Sequence, residues 1–141
     1  MGLVRGAHLV IAWAFVGGVV VQVFLAGLGV FENPARFSVH ATWGYTLEIL
    51  PLVLLGLAAA GRLGRRQVIY AAALFGMFML QSILVALRGE LPMIAALHPV
   101  NGFAILLVGI AMAREAWLAR EAKAAAAAVG IPESIPGAAR R

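Results

Sequence analysis

The sequence predicts an all-α integral membrane protein, a four-helix bundle built from two tandem helical hairpins with both termini cytoplasmic. Three observations carry that prediction. The 141 residues are 63% hydrophobic and only 12% charged, too apolar to give a soluble domain of this size its polar shell. Four stretches, about 7–31, 38–60, 68–87 and 96–118, approach or exceed the roughly 20 apolar residues that cross a bilayer core. Lipid offers no partner to an unpaired backbone group, so each of them is helical. Finally, of eleven basic residues, nine (Arg5, Arg62, Arg65, Arg66, Arg114, Arg120, Lys123, Arg140, Arg141) fall at the N-terminus, in the middle loop or in the tail. Only Arg36 and Arg88 lie in the other two loops, and cytoplasmic loops carry the excess of Lys and Arg.

The net charge of +5 therefore reports topology and contact with anionic lipid headgroups, and no nucleic acid is implied. With no cysteine, disulfides, iron–sulfur clusters, thiolate-ligated haem and covalent haem attachment are excluded. The expected location is a bacterial inner membrane, crossed several times.

In chain order, the first segment carries Gly17, Gly18, Gly27 and Gly29 around Gln22, small residues that let a neighbouring helix or a ligand approach closely. It follows Arg5 as a signal peptide would, but its length and its likeness to the third segment keep it in the mature chain. Glu32 to Arg36, with Pro34, forms a turn, and Ser38 is the expected cap of the second helix. Glu48 and Pro51 fall inside that helix, and the proline predicts a kink. The third segment holds Met77-Phe78-Met79 and Gln81. Pro92 and Pro99 bracket the start of the fourth, with His98 expected as its cap and Pro99 in its first turn. An alanine-rich helix then continues to Val129, and Ile131 to Arg141 form a loose tail. The domain division is 1–118 for the membrane unit and 119–141 for a cytoplasmic extension.

The two halves match at a fixed offset. Gly17, Gln22 and Gly27 correspond to Gly76, Gln81 and Ala86 at a separation of 59, and His40 and Gly44 to His98 and Gly102 at 58. The pattern predicts an internal duplication of a two-helix unit. Its pseudo-two-fold axis runs along the membrane normal, so His40 and His98 come to equal depth near the outer face.

Two readings of these histidines follow. Interfacial imidazoles hydrogen-bond headgroups, water and loop carbonyls. Intramembrane ionisable residues, however, are expensive and point to function, and a pair at equivalent positions, each followed by glycine one turn on, suits metal ligation beside space for a flat ring. Haem b is favoured over a bare ion, since no Cys, Asp or further His completes a tetrahedral set. Two imidazoles fill both axial positions of haem iron, which favours electron transfer over oxygen chemistry. Gln22 and Gln81 are either partners that orient the imidazoles or ordinary interhelical hydrogen-bonding groups. Gly44 and Gly102 border the site. Arg36 and Arg88 either pair with propionates or are surface charges. Glu48 is either a protonated structural group or part of a proton or quinol path. His8 reads as merely interfacial, and its counterpart at the repeat offset is Gln67.

At Ala-Leu-His98-Pro-Val-Asn-Gly102, Leu80-Gln81 and Val39-His40, the chain resembles a family of small, uncharacterised four-helix bacterial membrane proteins, over most of its length to about residue 118. The placing of histidines on the second and fourth helices is similar to one half of haem A synthase and, more loosely, to cytochromes of the b561 type. That resemblance implies haem b on His40 and His98.

The sequence-based expectation is a single-haem b-type cytochrome, an electron carrier rather than a catalyst, exchanging electrons with quinol or a membrane redox complex. The alternative is a haem-free structural or assembly subunit of a larger membrane complex. Homo- or hetero-oligomers fit both.

Overall fold

The computed structural model describes residues 2–129. Among them the chain runs α1 (Gly2–Phe31), a 3-10 turn (Pro34–Arg36), α2 (Phe37–Leu47), α3 (Ile49–Ala60), α4 (Arg65–Ala86), a second 3-10 turn (Leu87–Gly89), α5 (Pro92–Ala95) and α6 (His98–Ala128). Four helical stretches are long and apolar enough to cross a membrane. At 30 residues, α1 is about 45 Å long.

α2 and α3 follow one another with a single-residue break at Glu48, next to the Leu47 carbonyl to which Pro51 has no N–H to give. Glu48 keeps helical angles (φ −59°, ψ −23°) and its N–H still bonds the Gly44 carbonyl at 3.1 Å. α1 packs on α2–α3 and on α6, and α4 packs on α3 and on α6. This makes α1 diagonal to α4, and α2–α3 diagonal to α6.

Two expected caps are corrected. Ser38 does not cap the second helix: Asn33 caps the preceding turn, accepting from the Ala35 N–H at 2.9 Å, and Ser38 Oγ donates back to the Ala35 carbonyl at 2.8 Å. The 3-10 turn runs directly into α2 and leaves no extended residue for a cap to occupy. His98 is likewise not a cap but the first residue of α6, with Leu97 (φ −74°, ψ −11°) before it. Pro99 then sits in the first turn, where its missing N–H had no partner to lose. α1 also starts five residues before the expected Ala7, while α6 ends at Ala128, one residue from the Val129 at which the alanine-rich helix is expected to end. The expected loose tail, with Arg140 and Arg141, lies outside the described residues.

The core is filled by Ala12, Phe15 and Val19 of α1, Leu47 of α2, Leu54 of α3, Ala71, Leu74 and Phe78 of α4, and Ile105 and Met112 of α6. Phe15 and Phe78 meet edge to face across one diagonal, centroids 5.9 Å apart, a favoured aromatic geometry. Gly109 is what admits Phe15, since a Cβ there would lie 2.9 Å from its ring. Gly18 and Gly29 similarly admit Leu47 and Phe37 of the adjoining helix. Gly17, Gly27 and Gly76, by contrast, face open space and do not serve packing inside the bundle. Large apolar side chains such as Val20, Phe24, Ile83 and Phe103 are more than half exposed, as lipid-facing positions are.

The packed core is not centred. Beyond Val19, Leu47, Phe78 and Ile105, towards the ends that carry His40 and His98, only Gly29 and Leu84 are fully buried. The middle of the bundle at that level is occupied by imidazoles.

Candidate functional site: a facing pair of histidines

His40 lies in the first turn of α2 and His98 opens α6, on diagonal helices. Their ring centroids are 6.2 Å apart with the planes at 62°. Each ring is held in the same way by the helix beside it. His40 Nδ1 lies 3.0 Å from the Gln22 carbonyl, and His98 Nδ1 lies 3.4 Å from that of Gln81. A carbonyl only accepts, so each Nδ1 carries the hydrogen and each Nε2 is the acceptor of a neutral imidazole. The side-chain amides of the same glutamines face those acceptors, with Gln22 Nε2 3.3 Å from His40 Nε2 and Gln81 Nε2 3.2 Å from His98 Nε2.

Glycine makes this arrangement possible. A Cβ on Gly44 would lie 2.8 Å from Gln22 Nε2, and one on Gly102 would lie 3.3 Å from Gln81 Nε2. The space one turn past each histidine is taken by the glutamine amide. The sequence therefore brings together Gln22, His40 and Gly44, and again Gln81, His98 and Gly102, and the two groups meet where the imidazoles face each other. Arg36 and Arg88 are engaged elsewhere. Arg36 pairs with Glu32 at 2.8 Å, both side chains about half exposed, and Arg88 donates to the Val85 carbonyl at 3.3 Å. Glu48 is half-buried between α2 and α3, deeper than the pair.

Two further side chains hold the site, Trp43, which the sequence marks only as an interfacial aromatic, and Asn101, to which it assigns no role. Trp43 Nε1 donates to the Gly18 carbonyl at 2.9 Å. Asn101 Nδ2 donates to the Met77 carbonyl at 2.9 Å and to Gln81 Oε1 at 2.6 Å. Trp43 and Asn101 are 58 residues apart and their acceptors 59, the same offsets as the histidines and glutamines, so the repeat itself was the signal. Among the described residues, no three His, Cys, Asp or Glu converge as ligands for a metal ion.

Residues 22–87 match a family model described as a family of unknown function, DUF6220. The match takes in Gln22, His40, Gly44 and Gln81 but stops before His98, and it supports over these residues the resemblance to a small uncharacterised family. It brings no tie to haem A synthase or to b561-type cytochromes. No match was found among curated proteins, and none among solved structures.

Proposed function

We propose that the protein is a membrane cytochrome subunit in which His40 and His98 hold one haem b between the two halves of the bundle. The observation that carries this reading is the facing pair. The two rings lie on diagonal helices with their centroids 6.2 Å apart, where both would hold the same group. A second observation supports the reading. Each Nδ1–H is anchored on a backbone carbonyl, which fixes the tautomer and leaves Nε2 as the basic end, the usual support of a metal-bound histidine. Bound there, haem would supply one-electron chemistry. The chain's own contribution is to orient two neutral imidazoles, to keep Gln22 and Gln81 where they occupy Nε2 until a ligand does, and, through Gly44 and Gly102, to leave room for those amides. On this reading the bundle is a duplicated hairpin with cytoplasmic termini in a bacterial inner membrane, and the haem lies towards the outer leaflet. Quinol or a membrane redox complex would be its electron partner.

The haem-free alternative has the more direct support from the geometry. Each imidazole already has both nitrogens engaged, and each glycine niche is already filled by an amide. The pair is thus complete as a polar lock between helices in a haem-free structural or assembly subunit. In that case Gly17, Gly27 and Gly76, which face open space, form outer surfaces on which another helix can pack closely.

Reduced-minus-oxidised spectra of protein made with ample haem supply separate the two. The cytochrome reading expects one haem per chain and loss of the spectrum in both His40→Ala and His98→Ala. Absence of haem in the wild type, or its retention in both variants, overturns it. The assembly reading then expects a co-purifying partner that is lost in Gly17→Leu or Gly27→Leu and kept in the histidine variants.

A further inference from the structure

The opposite end of the bundle holds a cavity of about 550 Å³ lined by both ends of the chain's helical run and by the start of α4, within the size range of ligand pockets. His8 of α1 and Gln67 of α4 line it and are the buried polar residues of the described chain. His8 is fully buried, and neither of its ring nitrogens has a hydrogen-bond partner. Gln67 donates through Nε2 to the Met112 carbonyl at 3.3 Å but leaves Oε1 unpartnered. Buried polar groups are almost always hydrogen-bonded, and each exception calls for a cause.

The cause is read from the donors and acceptors on offer. A neutral imidazole presents one donor and one acceptor, and an amide oxygen presents an acceptor, so whatever satisfies all three must both give and take hydrogen bonds. Hydroxyl groups do so. Arg5 and Arg120 also line the cavity, as does Lys123. The carboxylate on its wall, Glu115, is already bound to Arg66 at 3.0 Å, which leaves the cavity cationic. The rest of the wall is largely alanine, glycine and leucine.

We propose that this cavity binds the headgroup of an anionic, hydroxyl-bearing phospholipid, the glycerol hydroxyls on His8 and Gln67 and the phosphate on Arg5 and Arg120. Phosphatidylglycerol has that chemistry. The site lies at the arginine-rich end of helices long enough to cross a membrane, where a headgroup would be at hand, and it is independent of the histidine pair.

The test is native mass spectrometry of the full chain, delipidated in neutral detergent and titrated with phosphatidylglycerol, phosphatidylmethanol or phosphatidylcholine. Phosphatidylmethanol keeps the phosphodiester charge without the hydroxyls. One phosphatidylglycerol per chain is expected, at least tenfold tighter than either of the others. Arg5→Gln combined with Arg120→Gln should weaken it tenfold or more, and His8→Leu should abolish the preference over phosphatidylmethanol. Gly6 lines the cavity and an added Cβ there meets nothing within 4 Å, so Gly6→Leu should block the lipid without disturbing the fold, even if His8→Leu does not fold. Equal binding of the three lipids, or an unchanged affinity in Gly6→Leu, overturns the proposal. Displacement of the lipid by an equal concentration of inorganic phosphate or glycerol 3-phosphate also overturns it, and assigns the site to a soluble anion.

Discussion

Replacing the two glutamines by leucine, one atom shorter and without the amide, should destabilise the bundle unequally. Gln81→Leu removes two hydrogen bonds between helices, from Gln81 Nε2 to His98 at 3.2 Å and from Asn101 to Gln81 Oε1 at 2.6 Å. Gln22→Leu removes only the bond from Gln22 Nε2 to His40 at 3.3 Å. It also removes a buried oxygen, Oε1, that has no partner, and burying such a group is itself a cost. Side-chain hydrogen bonds between membrane helices contribute about 0.6 kcal/mol on average and about 1.7 at most. The first change should therefore cost about 1–2 kcal/mol and the second about 0.5 or less. The difference of about 1 kcal/mol is roughly fivefold in the unfolding equilibrium. Reversible unfolding in mixed micelles with increasing dodecyl sulfate, followed by helical circular dichroism, measures both. A cost for Gln22→Leu equal to or above that for Gln81→Leu would refute the reasoning, because it would mean that the orphaned oxygen and the Asn101 contact do not matter.

Glycine substitutions should sort by what surrounds them. Gly109→Ala drives a Cβ to 2.9 Å from the Phe15 ring, which is backed by Phe78, and should cost about 1–3 kcal/mol by overpacking, whereas Gly17→Ala meets nothing and should be neutral or slightly stabilising in the same unfolding assay. Gly64→Ala places a side chain at φ 100°, ψ 154°, a region essentially reserved for glycine, and should cost about 1–3 kcal/mol. Gly44→Ala should push the Gln22 amide off His40, so its cost should largely vanish in a Gln22→Ala background, giving a coupling of about 0.5–1 kcal/mol in a double-mutant cycle; additive effects would show that the amide does not sit in the glycine niche. The helix-propensity gain of alanine is common to both backgrounds and cancels.

The spans and the site's partners were legible for the same reason, since both are written in spacing. Long apolar runs leave the backbone no choice but helix, and the paired offsets brought Gln22, His40 and Gly44 into the same frame as Gln81, His98 and Gly102. Helix ends were less legible because several turns share the capping work: Asn33, Ser38 and Phe37 together join the 3-10 turn to α2, and no single residue announces the boundary. His8 shows a different limit. Its position near the start of an apolar run suggests an interface, and although the helix is expected to continue to Val129, nothing in the sequence places that continuation against His8. Only the long continuation of α6 through Glu115, Arg120 and Lys123 completes the wall of the cavity at that end of the bundle.

The two halves of the histidine site differ at Trp43 and its counterpart Asn101, and that difference bears on which imidazole opens first. The indole of Trp43 has a single N–H, spent on the Gly18 carbonyl. The amide of Asn101 has two, one for the Met77 carbonyl and one for Gln81 Oε1. Gln81 is consequently tied at both ends of its amide and Gln22 at one. Swinging Gln22 away from His40 breaks only its 3.3 Å contact and exposes an oxygen that was already unpartnered, whereas swinging Gln81 away breaks the 2.6 Å bond from Asn101 as well. For a ligand that must take Nε2 from a glutamine, His40 is the lower-cost point of entry and His98 the second. The contact from Asn101 thus gives two similar imidazoles an order of release.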